Sequence, residues 1–285
     1  MSFAGTDQRI VLVAGPVRAA GRAGHHDYVA GCRLFAELLS RVPGVATEVV
    51  ENGWPTDEQS LEQAASIVFY DNGGGKQGFL ANAERRALIE RQAERGCGLV
   101  LLHQAAGFPS ALCAWGQRHF GAVYEAGVSR RGHRRVRLQG ADHPIAHAWQ
   151  SHAIRDGWLD HAALPADRAD DVTPLLWPDD VPASDRERRH ARMVAWAYDP
   201  PAGGRGFVFT GADNHRLWRD DEARRFVASG VLWSAGVAAP ASRDWHTMSD
   251  ADVDSRRSPR QSPLPRLAGK LGRRVRRSLR GQRKW

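Results

Sequence analysis

The sequence predicts an α/β fold built on a mostly parallel sheet with flanking helices. Short, continuous apolar runs alternate with longer segments of helical periodicity through the first hundred residues. Apolar runs of this kind are typical of parallel strands that are buried on both faces. The length of 285 residues and a hydrophobic content of 42% allow one large domain with a substantial core, or two small domains.

The first half contains four predicted strands and three predicted helices. The strands are expected at 9–14, 46–50, 66–70 and 98–102, and the helices at 27–40, 57–65 and 82–95. Leu34, Phe35, Leu38 and Leu39 recur at helical spacing and form an apolar face on the first helix.

The second half is richer in strands than in helices. Strands are predicted at 134–138, 153–159, 193–198 and 206–210, separated by Pro-rich loops, and a closing helix at 220–234. This half is either an extension of the sheet or an antiparallel insertion folded onto the same domain.

The compact domain is expected to span 1–240, and 241–285 to form a disordered linker and a basic tail. Residues 255–285 contain 12 of the 40 Lys and Arg residues and no Asp or Glu. The remaining body is mildly acidic, so the net charge of +8 does not indicate that the whole protein binds nucleic acid. The tail is either a basic amphipathic helix, suited to an anionic membrane or to nucleic acid, or a solvated extension.

Composition excludes several other classes. The sequence has no 18-residue apolar run, its three Cys residues show no Cys-x-x-Cys spacing, and no signal peptide is expected. A cytoplasmic protein without a disulfide framework is therefore expected. The oligomeric state stays open, a homo-oligomer included.

Polar side chains follow four of the predicted strands at the point where each strand ends. They are His25, His26 and Asp27; Asp71 and Asn72 with Gly73, Gly74 and Gly75; His103 and Gln104; and Asp213, Asn214 and His215 with Trp218. Because the carboxyl ends of parallel strands share one edge of a sheet, these groups are expected to line one pocket.

Each of these groups also has a simpler interpretation. The glycine run either brings backbone close to a ligand or is a flexible turn. His25 and His26 either contact a ligand or cap the following helix with Asp27, and His103 is either functional or a satisfied core histidine. A divalent metal, with His26 and His215 as ligands, is weakly indicated because no close-spaced ligand pair exists. Nucleophilic catalysis fits poorly, since Gly-x-Ser-x-Gly is absent and no Cys ends a predicted strand.

Eight short motifs follow one another along roughly residues 8–240. They are HHDYVAGC at 25–32, GWP at 53–55, IVFYDNGGG at 67–75, GLVLLH at 98–103, HPI at 143–145, GRGFVFTG at 204–211, NH at 214–215 with Trp218, and LWSAGV at 232–237. In these motifs the chain resembles the ThuA-like family, which is named for trehalose utilisation and related in fold to class I glutamine amidotransferases.

The resemblance implies a flavodoxin-like core without the amidotransferase cysteine, and a link to carbohydrate metabolism that includes 3-keto-glycoside processing in some members. It places His26, Asp71, His103 and His215 at the polar cleft positions of the family.

This sequence departs from the family pattern at four places. Lys76-Gln77 stand where the family commonly has His-Pro, and Asp213 where it often has His. Ser-Arg-Arg-Gly-His at 129–133 replaces a Ser-Val-Asn-Pro-His-type stretch, and Asp156-Gly157-Trp158 replaces Asp-Glu-Trp. Either the substrate differs or catalysis has been lost.

These observations favour an enzyme that acts on a sugar or keto-glycoside by histidine-mediated acid/base hydrolysis or elimination, with possible metal assistance. His103 or His215 is expected to move the proton, Asp71 to orient a histidine or accept a substrate hydroxyl, and the Gly73–Gly75 backbone to hold an oxyanion or a hydroxyl. The alternative is a non-catalytic carbohydrate-binding or regulatory module. His133 and His161 are further histidines that could reach the cleft from the second half.

Overall fold

The computed structural model describes residues 7–16, 24–128 and 130–258. The strands in chain order are β1 Gln8–Ala14, β2 Val45–Val50, β3 Ser66–Tyr70, β4 Gly98–Leu102, β5 Gly107–Phe108, β6 Tyr124–Glu125, β7 Arg130–Gly140, β8 His152–Asp160, β9 Val172–Pro178, β10 Ala195–Tyr198 and β11 Gly206–Phe209. The helices are α1 Tyr28–Leu39, α2 Gln59–Glu62, α3 Ala83–Glu94, α4 Cys113–Phe120, α5 Arg186–Arg192, α6 Asp221–Ser234 and α7 Asp250–Ser255.

One large sheet organises the fold and confirms the predicted fold class. Its strand order is β2-β1-β3-β4-β11-β10-β9-β7-β8. The five strands from β2 to β11 are parallel, and the four from β10 to β8 continue the sheet with antiparallel pairing. The second half is therefore an antiparallel extension of the same sheet.

The parallel strands are buried on both faces, as their continuous apolar runs predict. Along β1, Ile10 and Leu12 join the core that includes α1 and α6, whereas Val11 and Val13 join the opposite core with α3 and α4. This alternation follows from the two-residue period of a strand. Helices on both faces leave the carboxyl ends of the parallel strands as the accessible edge.

Strand β9 is absent from the sequence prediction because proline interrupts its apolar pattern. Pro174 and Pro178 both lie within Val172–Pro178. The pairing with β10 shifts register between Ala195 and Trp196, where Trp196 stands opposite Pro174. Proline has no N–H to donate to a ladder, so a local irregularity at this pair is expected.

The chain beyond Pro240 packs on the domain, in contrast to the disordered linker expected from 241. Trp245 and Val253 are buried, and the buried guanidinium of Arg224 donates hydrogen bonds to the carbonyl oxygens of His246 and Met248. These isolated anchors lie in polar sequence and produce no periodic pattern, so sequence reasoning does not detect them. We call residues 241–258 the C-terminal strap; the basic tail from 259 onward lies outside the described residues.

Within the described ranges, every helix is too short or too polar to cross a membrane.

Candidate functional site

The carboxyl ends of β1, β4 and β11 bring distant segments together at one edge of the sheet. The N–H of His26 donates to the carbonyl oxygen of Asp213 at 2.9 Å, and His25 forms an isolated β-bridge with Asn214. The loops after β1 and β11 are thereby joined by their backbones.

Four histidines surround the carboxylate of Asp213. Oδ1 of Asp213 lies 2.7 Å from Nε2 of His26 and 3.1 Å from Nε2 of His103. Oδ2 lies 2.8 Å from Nδ1 of His25 and 2.6 Å from Nε2 of His133. We call these five residues the histidine cluster. His133 is supplied by β7, in the antiparallel half, and reaches the site as one of the two histidines that the sequence suggested for that role.

The cluster holds Asp213 as a carboxylate. Burial opposes ionisation, but hydrogen bonds from His103, His26 and His25 outweigh it, and they hold the pKa of the Asp213 carboxyl well below its usual range. A carboxylate offers about four lone-pair positions. The four imidazoles occupy these positions, so Asp213 is the residue that all four histidines contact, and we call it the hub of the site.

His103 is fixed by contacts at both ring nitrogens. Its side chain is buried, and Nδ1 lies 3.1 Å from the carbonyl oxygen of Thr210 while Nε2 faces Asp213. A carbonyl oxygen only accepts, so Nδ1 carries a proton. Nε2 then requires either a second proton or a cation between it and the carboxylate.

The backbone around the cluster is held in an uncommon conformation. His26, His103 and Ala212 have φ angles of 52°, 56° and 73°. Non-glycine residues rarely adopt this left-handed region, and such strain tends to occur at functional sites. Asp156 stabilises one of the three, because its Oδ2 accepts the N–H of Ala212 at 2.5 Å. Burial raises the pKa of Asp156.

A cavity of about 610 Å³ opens beside His26. We call it cavity A. Its lining residues are His26, Gly73, Gly74, Lys76, Gln104, Gly107, Tyr124, Glu125, Ala126, Gly127 and Leu159. Nε2 of Gln104 lies 3.4 Å from Nε2 of His26, so the amide faces the cluster. His26 is the cluster residue that meets this cavity.

A second cavity, of about 550 Å³, is lined by two other residues of the cluster. We call it cavity B. Its lining includes His25 and His133 together with Arg155, Arg216 and Asn214. The histidine cluster therefore contributes to the walls of two cavities, with His26 lining cavity A and His25 and His133 lining cavity B.

Asp71, expected to be catalytic, organises the glycine loop. It is buried, with Oδ1 accepting the N–H of Asn72 at 2.6 Å and Oδ2 accepting that of Gly78 at 2.8 Å. It is not among the residues that line either cavity. Gly15 makes room for it, because a Cβ at Gly15 would lie 2.0 Å from Oδ1 of Asp71.

The glycine loop faces cavity A, but two of its N–H groups are already used. Gly74 donates to the carbonyl oxygen of Gly107 at 2.7 Å, and Gly75 donates to Oε1 of Gln77 at 2.9 Å. The oxyanion role expected for the Gly73–Gly75 backbone is therefore not available at these two positions. Gln77, where the family commonly has His-Pro, also ties the loop to the carbonyl oxygens of Ala105 and Gly107.

His215 and Trp218 lie in the core. His215 is buried, its Nε2 lies 3.0 Å from the carbonyl oxygen of Val253 in the C-terminal strap, and burial lowers its pKa. Trp218 is fully buried against Phe35. Asn214 accepts the N–H of Arg216 with its side chain and lines cavity B. His215 belongs to neither of the two groups of described residues whose ligand atoms lie close enough to hold a metal ion, which are His26, His103 and Asp213, and His25, His133 and Asp213.

Burial disfavours the thiolate form of the three cysteines. Burial raises the pKa of Cys97 to about 12, and burial also raises the pKa of Cys32 and Cys113. Thiols with raised pKa values are protonated at neutral pH and react slowly.

The fold and the cluster together define an α/β protein with a histidine–aspartate site at the carboxyl edge of its parallel strands. The family model for ThuA, trehalose utilisation, matches residues 16–234, and the chain belongs to that family.

Two solved structures show the same fold at low sequence identity. A ThuA-like protein from Bacteroides uniformis ATCC 8492 superposes with a TM-score of 0.60 at 14% identity, covering 82% of this chain and 94% of that one. A ThuA-like protein from Parabacteroides merdae ATCC 43184 gives a TM-score of 0.57 at 16% identity, with coverages of 83% and 93%. No curated protein matches the chain.

Proposed function

We propose that the protein is an enzyme that acts on a sugar or keto-glycoside in cavity A, with His26 as the acid/base group. One observation carries this proposal: His26 both lines cavity A and contacts the Asp213 carboxylate at 2.7 Å. A carboxylate that orients an imidazole and stabilises its charged form is a recurrent arrangement for proton transfer. Membership of a family named for trehalose utilisation supports a carbohydrate substrate.

The roles within the cluster follow from exposure. His26 is partly exposed, with 22% of its side-chain surface accessible, whereas the His103 side chain is only 3% accessible and its Nδ1 is bound to Thr210. His103 therefore positions Asp213, and the acid/base role expected for it passes to His26. Proton transfer by His26 is compatible with both hydrolysis and elimination.

Cavity A has the size and polarity that a sugar requires. Its volume of about 610 Å³ lies within the range of about 300–1,000 Å³ that is usual for small-molecule sites. Gln104 and Lys76 lie in its lining and provide hydrogen-bonding groups for hydroxyls, with Gln104 directly beside His26.

The test is a turnover screen with glycosides and 3-keto-glycosides on the parent and on His26→Ala. Loss of an acid/base group typically costs about 10²–10⁴-fold in rate. His147→Ala is a suitable control, because His147 is exposed and its Nδ1 bonds locally to the carbonyl oxygen of Pro144. Equal turnover in His26→Ala and the parent contradicts the proposal, and saturable sugar binding without turnover favours the non-catalytic binding module.

A further inference from the structure

The two oxygens of Asp213 divide the histidine cluster into two halves of two histidines each. His26 and His103 share Oδ1, and His25 and His133 share Oδ2. From this division we propose that the cluster binds two divalent first-row transition-metal ions, with the Asp213 carboxylate bridging them. With an ion bound, Nε2 of His26 is a ligand and no longer the acid/base group, so the proposal keeps from the proposed function only the sugar in cavity A and the dependence of turnover on His26.

Each half has the spacing of a metal site. The ligand atoms of His26, His103 and Asp213 all lie within 4.8 Å of one another, and so do those of His25, His133 and Asp213. Two ligand atoms that share a tetrahedral zinc at about 2.0–2.1 Å stand about 3.3 Å apart. Small side-chain rotations therefore suffice to admit an ion into each half.

The donor set selects the class of ion. Two imidazole nitrogens and one carboxylate oxygen suit zinc, iron(II), manganese and cobalt, and they leave positions open for water or substrate. Ions in catalytic two-metal sites lie about 3.5–4 Å apart, a separation that a bridging carboxylate supports.

His103 is oriented as a metal ligand would be. Nδ1 lies 3.1 Å from the carbonyl oxygen of Thr210, and Nε2 faces Oδ1 of Asp213 at 3.1 Å. A ligating histidine usually donates its other N–H to a carbonyl or carboxylate oxygen, as His103 does.

The fold holds the ligands in place before any ion binds. The left-handed backbone at His26 and His103 fixes two of them, and Gly157 makes room for the bridging Asp213. One ion is placed toward cavity A through His26, and the other toward cavity B through His25 and His133.

The test is metal stoichiometry of the full chain, measured without substrate. Chelator-treated protein is dialysed against Zn²⁺ or Co²⁺, and bound metal per chain is determined by elemental analysis. We expect two ions for the parent and for His147→Ala, one for His133→Ala, and less than one for Asp213→Asn. The His133 side chain is 49% exposed, so His133→Ala is expected to fold even if Asp213→Asn does not.

A parent that binds at most one ion at saturation, or a His133→Ala variant that retains two, overturns the dinuclear centre. The metal stoichiometry and the sugar turnover can fail independently. Two bound ions with no turnover of any sugar contradict only the proposed function, whereas turnover that depends on His26 in a chain binding fewer than two ions contradicts only the dinuclear centre.

Discussion

A Cβ atom at Gly157 would lie 2.8 Å from Cβ of Asp213, so these two residues form one closely packed pair. Both positions depart from the family pattern noted in the sequence, where Glu and His are common. A side chain at position 157 would overlap Asp213, so the present position of Asp213 requires a residue without a side chain there on β8.

Gly157→Ala is therefore expected to displace Asp213 and disrupt the histidine cluster. Inserting a methyl group into packed surroundings typically costs about 1–3 kcal/mol of unfolding free energy. We expect lower thermal stability together with a loss of metal binding, measured by calorimetry and elemental analysis. Gly132→Ala on the paired strand is the matched control, since a Cβ there meets nothing within 4 Å. Similar losses in both variants would contradict the packing argument.

Truncation after Pro240 is expected to destabilise the protein, although the sequence favours a domain that ends there. The cut removes the buried side chains of Trp245 and Val253, each typically worth about 1.5–3 kcal/mol, and two acceptors of the buried Arg224. Thermal unfolding of the truncated chain measures the effect, and truncation after Ser258 is the control. Unchanged stability of the chain that ends at Pro240 would show that the C-terminal strap contributes little.

His103→Ala and His215→Ala are expected to differ, although the sequence places both histidines at the cleft. His103 contacts Asp213, so its loss should lower turnover at least about tenfold, as is common for groups that orient ligands or catalytic residues. His215 contacts the strap at Val253, so its loss should lower the melting temperature while the folded protein keeps its turnover. Loss of turnover in folded His215→Ala, with turnover retained in His103→Ala, would instead indicate that His215 takes part in the reaction.

The Asp213 carboxylate is expected to make the free energy of unfolding fall at acidic pH. Its pKa in the folded state lies well below the unfolded value of about 3.9, because the cluster stabilises the carboxylate. Between these values the unfolded chain binds more protons, so stability falls as the pH is lowered. The contribution is complete above about pH 5 and declines below about pH 4.

Denaturant unfolding from pH 6 to pH 2 tests this sign. The difference in unfolding free energy between the parent and Asp213→Asn should shrink as the pH falls. A difference that stays constant or grows on acidification would contradict the assignment.

The sequence locates the edge of the site better than its centre. Tyr70, Leu102 and Phe209 end apolar runs, and polar residues follow each of them, so the shared edge of the sheet is predictable. The separation of His215 from the histidine cluster is not predictable from the sequence, because it depends on the 3-10 turn His215–Arg219 and on the C-terminal strap that contacts His215. His133 enters because the sheet places β7 beside β8, whose Gly157 lies against Asp213.

The sequence alone determined the parallel α/β core, the polar residues at its strand ends and the family resemblance. These follow from local patterns of burial and from motifs that are continuous along the chain. The tertiary structure decided that Asp213 is the hub, that His133 joins it and that residues 241–258 cover His215. Those relationships join segments far apart in the chain, and they depend on strand order, on backbone φ angles and on the fit of single atoms, none of which a local pattern records.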